Sequence, residues 1–278
     1  MVNQDQVIGI IPAGGKAARL SPLPFSKELY PIGFQHMKNG SLRPKPVCIY
    51  LLEKMRLAGI SKVYIILRSG KWDIPAYLGN GTDLNIHLAY LIMGLPFGVP
   101  YTVDQAFPFI RDRIIAFGFP DIIFQPEDAF IRLLARQKET DADIVLGLFP
   151  VNQPEKWDMV ELNGDRRIRK ILMRPVRTEL RYTWIISVWT PVFSNFMHEY
   201  LIQLQGTGEP MRQELFMSNV VQHAIEKGLR VEGVLLPEGS CLDIGTPEDL
   251  VKAVRELSET RVPEAKDEER RTKDKKHG

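Results

Sequence analysis

Val7-Ile-Gly-Ile-Ile-Pro-Ala-Gly-Gly-Lys-Ala-Ala-Arg-Leu20 decides the fold, because it changes character in the middle. Val7 to Pro12 is short, nearly all apolar and rich in β-branched residues, the pattern of a strand buried on both faces in a parallel sheet. Gly14 and Gly15 then permit backbone angles that a side chain forbids, and small residues continue to the lone Arg19. A strand opening into such a loop can turn successive backbone N–H groups toward an anion, and Ala13, Gly14, Gly15 and Lys16 become candidate phosphate-cradle residues. Arg19 adds a planar donor fork. The patterns GxxxxGK[ST] and GxGxxG are both missing, which argues against P-loop NTPases and dinucleotide-dependent dehydrogenases.

Outward from this stretch, apolar runs alternate with helical spacing. Val47, Tyr50, Leu51, Met55 and Ala58 predict a helix from Pro46 to Ala58 capped by Gly59, with strands at Lys62–Leu67 and Ile86–Ile92 to follow. The Pro- and Gly-containing segment 21–43 reads mostly as loop, and its length suggests function rather than mere connection. Tyr101–Arg111 reads as one helix, Arg113–Phe119 and Ile144–Phe149 as strands, and Asp128–Lys138 as the helix between them. This alternation predicts an α/β fold with a doubly wound, mostly parallel, Rossmann-like sheet. From about residue 157 to 190 the pattern turns β-rich, with a hairpin signal at Asn163-Gly-Asp165, which suggests a small insertion. Helices near 192–203 and 215–227 and a strand near 229–235 lead to Thr246-Pro247, read as N-cap and first turn of a last helix supported by Asp249. Residues 1–260 are therefore expected to form one domain, and the almost wholly charged segment 261–278 a disordered tail.

Composition narrows the function classes. The chain has 278 residues, a formal net charge of +2 and 44% hydrophobic residues, so it can bury a large core and lacks the basic excess that gathers nucleic acid. No apolar run approaches the roughly 20 residues of a membrane span. Cys48 and Cys241 have no ligand-spaced partners, and the five histidines form no HxH or HExxH, so no zinc or disulfide framework is predicted. A cytoplasmic protein with reduced thiols is the expectation.

Read together with its sequel, the opening loop becomes specific. Ala-Gly-Gly-x-x-x-Arg-Leu-x-Pro followed by Ser26-Lys-Glu-Leu-Tyr-Pro31, then Lys45-Pro46, Ala58-Gly-Ile60, Leu78-Gly-Asn-Gly81, Asp104-Gln-Ala106, Asp121-Ile-Ile-Phe124 and Asp243-Ile-Gly-Thr-Pro-Glu-Asp249, resembles the sugar-1-phosphate nucleotidylyltransferases. The agreement runs in order over about residues 7–257, and the thymidylyl- and uridylyltransferases for glucose 1-phosphate are the nearest branch. The resemblance implies transfer of a nucleotidyl group from an NTP, with dTTP or UTP favoured, to a sugar 1-phosphate, giving an NDP-sugar and pyrophosphate. It implies Mg²⁺ held by Asp121 and Asp243, Arg19 and Lys27 acting on phosphates, Gln105 reading the base, and Arg174 meeting the sugar phosphate. It also implies a homo-oligomer. Departures lie at Ala17-Ala18 in place of Gly-Thr, at a shortened Arg19–Lys27 loop, at Pro120 before Asp121, and at Met173, where the family places a glutamate that grips sugar hydroxyls. They leave two readings: a transferase with an altered acceptor, or a nucleotide-binding regulatory homologue without turnover.

Overall fold

A computed structural model describes residues 7–36, 40–94, 98–164, 166–206 and 214–259; the expected tail 261–278 and Asp165 of the hairpin signal lie outside them. Strand β1 (Val7–Ala13) is followed by β2 (Pro31–His36), β3 (Leu42–Pro46) and helix α1 (Val47–Leu57). Next come β4 (Lys62–Arg68), α2 (Asp73–Leu78), β5 (His87–Met93), α3 (Val99–Asp104), α4 (Phe107–Ile110), β6 (Ile114–Gly118), β7 (Ile122–Gln125), α5 (Ala129–Thr140) and β8 (Ile144–Pro150). The rest supplies β9 (Asp158–Leu162), β10 (Ile168–Met173), β11 (Tyr182–Trp189), α6 (Pro191–Gly206), α7 (Met217–Glu226), β12 (Val231–Leu235), β13 (Ser240–Asp243) and α8 (Pro247–Glu259).

β1 lies in the middle of a nine-stranded sheet, parallel to β4 on one side and β6 on the other, with β5 parallel to β4 beyond. Its side chains alternate between two apolar layers. Val7, Ile11 and Ala13 join the layer covered by α1, α2 and α5, whereas Ile8 and Ile10 join the layer under α3, α4, α6 and α7. That is the doubly wound arrangement, and it explains why β1 carries no polar residue. Gly9 is needed where α1 presses on the sheet: a Cβ there would lie 2.8 Å from Val63 Cγ2 and 2.9 Å from Met55 Sδ. Beyond β6 the sheet turns mixed. β11 runs antiparallel to both β6 and β8, β12 is parallel to β8, and the β9–β10 hairpin joins through the Thr183–Met159 pair, just where β6 stops. The expected β-rich segment is thus present, and its last strand lies inside the main sheet.

Two expectations are refined. Segment 21–43, read mostly as loop, contains strands: β2 and β3 form an antiparallel ribbon, buried at Ile32, where the Tyr50 hydroxyl donates to the Ile32 carbonyl at 2.7 Å. Its proline-broken sequence hides the alternation that would announce a strand. The helix read over Tyr101–Arg111 is split into α3 and α4, with Pro108, which lacks an N–H, in the first turn of α4. The last helix is capped as expected: Thr246 Oγ1 accepts from Asp249 N at 3.2 Å and donates to Asp249 Oδ2 at 2.8 Å. Among the described residues no helix is long and apolar enough to cross a membrane.

Candidate active site

The loop after β1 leaves the sheet at the carboxyl end of its central strands, the place where open α/β sheets hold ligands. Ala13 is buried and Gly14 runs directly beneath Met93, whose sulfur occupies the space a Cβ on Gly14 would need. Thr102 Oγ1 donates to that sulfur at 3.4 Å. Gly15 and Lys16 are exposed, and a Cβ on Gly15 would lie 4.0 Å from Lys27 Cε. Ala17 takes the left-handed conformation, φ 51°, and its carbonyl accepts from Leu20 N at 2.9 Å to close the turn. An alanine held in that conformation carries a strain of about 1 kcal/mol. Arg19 turns toward the far end of the chain: a Cβ on Gly245 would lie 2.8 Å from Arg19 Nη2 and 3.0 Å from Asp243 Oδ2. Gly245 leaves room for the guanidinium beside that carboxylate.

Asp121 and Asp243 come together through a small antiparallel ribbon. β13 pairs with β7 so that Asp243 stands opposite Ile122, and Ile244 N donates to the Asp121 carbonyl at 3.2 Å. The Asp121 carboxylate forms an ion pair with Lys27 Nζ. Burial raises the cost of charging Asp121, but the Lys27 charge and hydrogen bond outweigh it and hold its pKa below the ordinary value. Burial likewise opposes the Lys27 charge, and Asp121 with its acidic neighbours reverses that and raises the ammonium pKa. Among the described residues Asp243 makes no ion pair of its own, although the Lys27 charge favours its ionised form. Burial and then repulsion from Asp121 push it up to about 6, although Gly245 N donates to its Oδ1 at 2.8 Å. Two adjoining carboxylates, one of them strained by the other's charge, are a donor set a divalent cation would relieve. Among the described residues no third His, Cys, Asp or Glu completes a cage, which suits Mg²⁺, an ion that keeps water and substrate phosphates in its sphere.

From Asp243 and Arg19 a cleft of about 870 Å³ opens between the β8–β9 connection and α8, lined also by Lys156, Trp157, Arg174 and Asp249. Lys156 Nζ is fixed by Asp249 Oδ1 at 3.1 Å. Arg174, left-handed at φ 42°, bonds through its N–H to the Trp157 carbonyl at 3.2 Å and lies 5.4 Å from the Phe216 ring centre. Met173 is half-exposed, with Asn219 Nδ2 2.9 Å from its sulfur. Across the ladder from Met173, Asp158 accepts from Ser218 Oγ at 2.5 Å, and Ser218 in turn accepts from Trp184 Nε1 at 3.0 Å. The structure therefore gathers Arg19, Lys27, Asp121, Asp243 and Arg174 around one end of the sheet. Gln105 stands apart at the end of α3, donating to the Tyr101 carbonyl at 3.5 Å and not lining the cleft.

Sequence reasoning missed the supports of Lys27. Ser26 is held by Asp73, which accepts from its N–H at 2.6 Å and its hydroxyl at 2.8 Å. Glu28 is buried, and both of its carboxylate oxygens accept from Lys71 Nζ at 2.7 Å. Burial raises the Glu28 pKa and lowers that of Lys71, the signature of a desolvated pair retained for its geometry. Both anchors come from the segment after β4, so the Lys27 turn is clamped to the sheet beside Asp121. Nothing in the sequence marks partners this remote. Met93 over Gly14 is equally unmarked; only its place at the end of an apolar strand near the loop hints at it.

Comparison with known proteins agrees with this architecture. A family model described as nucleotidyl transferase matches residues 8–260. A low-salt glycan biosynthesis nucleotidyltransferase of Haloferax volcanii is 24% identical over 248 residues, 88% of this chain and 64% of that protein. A glucose-1-phosphate thymidylyltransferase of Neisseria meningitidis is 27% identical, covering 88% of this chain and 80% of the relative. The chain thus spans about two thirds of the Haloferax protein's length. A crystal structure of a Bacillus anthracis protein described as a glucose-1-phosphate thymidylyltransferase, in complex with sucrose, superposes with a TM-score of 0.75 at 21% identity over 92% of this chain and 97% of that one, a likeness of fold. By the match over nearly its whole described length, the chain belongs to the nucleotidyl transferase family.

Proposed function

We propose that the protein transfers a nucleotidyl group from an NTP, dTTP or UTP by preference, to a sugar 1-phosphate, yielding an NDP-sugar and pyrophosphate. The observation that carries this reading is the meeting of Asp121 and Asp243 beside Lys27 and Arg19 at the end of β1. A phosphate oxygen of the acceptor attacks the α-phosphorus, the bond to the bridging oxygen breaks, and pyrophosphate leaves with that electron pair. No protein nucleophile is required, so catalysis is placement and charge neutralisation. Ala13, Gly14, Gly15 and Lys16 cradle phosphate oxygens, Lys27 and Arg19 balance charge that develops on them, and Arg174 takes the phosphate of the acceptor in the large cleft. Asp121 and Asp243 would hold Mg²⁺, whose chemistry when bound is to neutralise and orient the α-phosphate. Gln105 reads the base with the amide hydrogen and oxygen that its bond to the Tyr101 carbonyl does not use.

Met173 favours a second reading, a nucleotide-binding homologue that has lost turnover, because no carboxylate stands at the place of the family's glutamate. Incubation with each NTP, Mg²⁺ and a panel of sugar 1-phosphates, with pyrophosphate as readout, separates the two. Release with dTTP or UTP and at least one sugar 1-phosphate is expected. Nucleotide binding without release for any acceptor would leave the regulator.

A further inference from the structure

α3 has six residues and α4 four, too few for either to hold itself in water, so what packs on them sets where they lie. Their junction is gripped at two points by one side chain of α6. His198 Nδ1 lies 3.0 and 3.1 Å from the two carboxylate oxygens of Asp104, the last residue of α3. Toward an ionised carboxylate that nitrogen is the donor. The same ring lies flat on that of Phe107, the first residue of α4, with centroids 3.7 Å apart and planes 9° apart. α6 is a firm base for the grip, because its Phe193, Met197 and Leu201 are buried in the apolar layer beneath it. Asp104 is mostly buried; burial raises its pKa, and the bond from His198 opposes that rise.

Gln105 and Ala106 lie between the two gripped residues. Gln105 keeps helical angles, φ −59° and ψ −24°, so its side chain leaves the backbone about 100° around from that of Asp104. Three residues earlier, on the same side of the helix as Gln105, Thr102 lies against the loop after β1: its Cγ2 would be 3.7 Å from a Cβ on Gly14. α3 therefore has one flank on α6 and another at the candidate phosphate cradle, and the hold on Asp104 fixes its rotation between them.

We infer that His198 is a positioning residue for nucleotide selection: by holding Asp104 and Phe107 it sets the α3–α4 junction, and so the direction in which Gln105 presents its amide to the base. The inference rests on the nucleotidyl-transfer reading for the role of Gln105. An amide reads a pyrimidine edge with a donor and an acceptor in one plane, so a rotation of α3 costs both bonds together. His198 itself touches no substrate.

Calorimetric titration of the full chain with UTP and with CTP, each with Mg²⁺, tests it without requiring turnover. The parent should bind UTP more tightly than CTP by about tenfold. His198→Phe keeps a ring over Phe107 and loses the donor to Asp104. It and Gln105→Ala should each remove most of the preference, and the double variant should lose no more than either alone, since residues acting through one another do not add. His198→Asn, whose amide nitrogen reaches the place of Nδ1, should keep most of it. A preference retained in His198→Phe, losses that add in the double variant, a loss in His198→Asn as large as in His198→Phe, or no preference in the parent overturns the inference, whatever the melting temperatures. If His198→Phe does not fold, Asp104→Ala, which severs the grip without leaving a buried charge, decides by the same criterion. A coupled loss in a protein that transfers nothing would keep the inference and remove the transferase reading; turnover with a preference independent of His198 would do the reverse.

Discussion

Asp243→Asn should make the metal-free protein more stable while removing its activity. The side chain keeps its shape, and an amide oxygen can still accept the Gly245 N–H that Asp243 Oδ1 accepts at 2.8 Å. What disappears is a charge that burial and Asp121 oppose, which raise the Asp243 pKa from 3.8 to about 6. A shift of that size corresponds to about 3 kcal/mol, and partial exposure of the carboxylate brings the expected gain to about 1–2 kcal/mol. The sign follows from linkage. The folded state holds the proton more tightly than the unfolded one, so the parent has its full share of this stability below pH ~4 and loses it as the pH rises through about 6. Thermal unfolding followed by circular dichroism in a chelator, at pH 4, 6 and 7.5, measures it. At pH 7.5 the variant should melt roughly 3–6 °C above the parent, and the two should converge at pH 4. Added Mg²⁺ should raise the melting temperature of the parent and leave the variant where it is. A variant no more stable than the parent at pH 7.5, or a gap that persists at pH 4, would refute the repulsion between the two carboxylates.

Three further substitutions probe the supports. Ala17→Gly relieves a left-handed alanine against a modest gain in unfolded-chain entropy, so it should stabilise by about 0.5–1 kcal/mol, read from the denaturant midpoint. Glu28→Gln leaves the Lys71 ammonium buried without its carboxylate and should cost about 3 kcal/mol in the same assay; an unchanged midpoint would show that the pair does not clamp the Lys27 turn. Gly245→Ala puts a methyl 2.8 Å from Arg19 Nη2 and 3.0 Å from Asp243 Oδ2, so transferase turnover should fall about tenfold or more with little change in melting temperature, and full activity would release Arg19 from its assigned place.

The frame was legible because it depends on local pattern. Val7–Ala13, buried on both faces, has no polar residue to misplace, and Thr246-Pro247 with Asp249 announces α8 through cap chemistry alone. The β7–β13 ribbon was not legible: each strand has four residues, and each gains its partner from the far part of the chain rather than from any periodicity. That ribbon is what joins Asp121 to Asp243, so their meeting could be expected from resemblance and not from spacing. The same holds for Lys27, whose position depends on Asp73 and Lys71, supplied from across the sheet. Gln105 is placed by the end of α3, where its Nε2 donates to the Tyr101 carbonyl at 3.5 Å, a position that its order in the motif does not reveal.

The central claim is that Asp121 and Asp243 act as one site on an NTP. Pyrophosphate release from dTTP or UTP with Mg²⁺ and a sugar 1-phosphate, compared between the parent, Asp121→Asn and Asp243→Asn, tests it most directly. The account predicts release by the parent and at least a hundredfold loss in each variant with the fold retained; near-parental release in either one would contradict it.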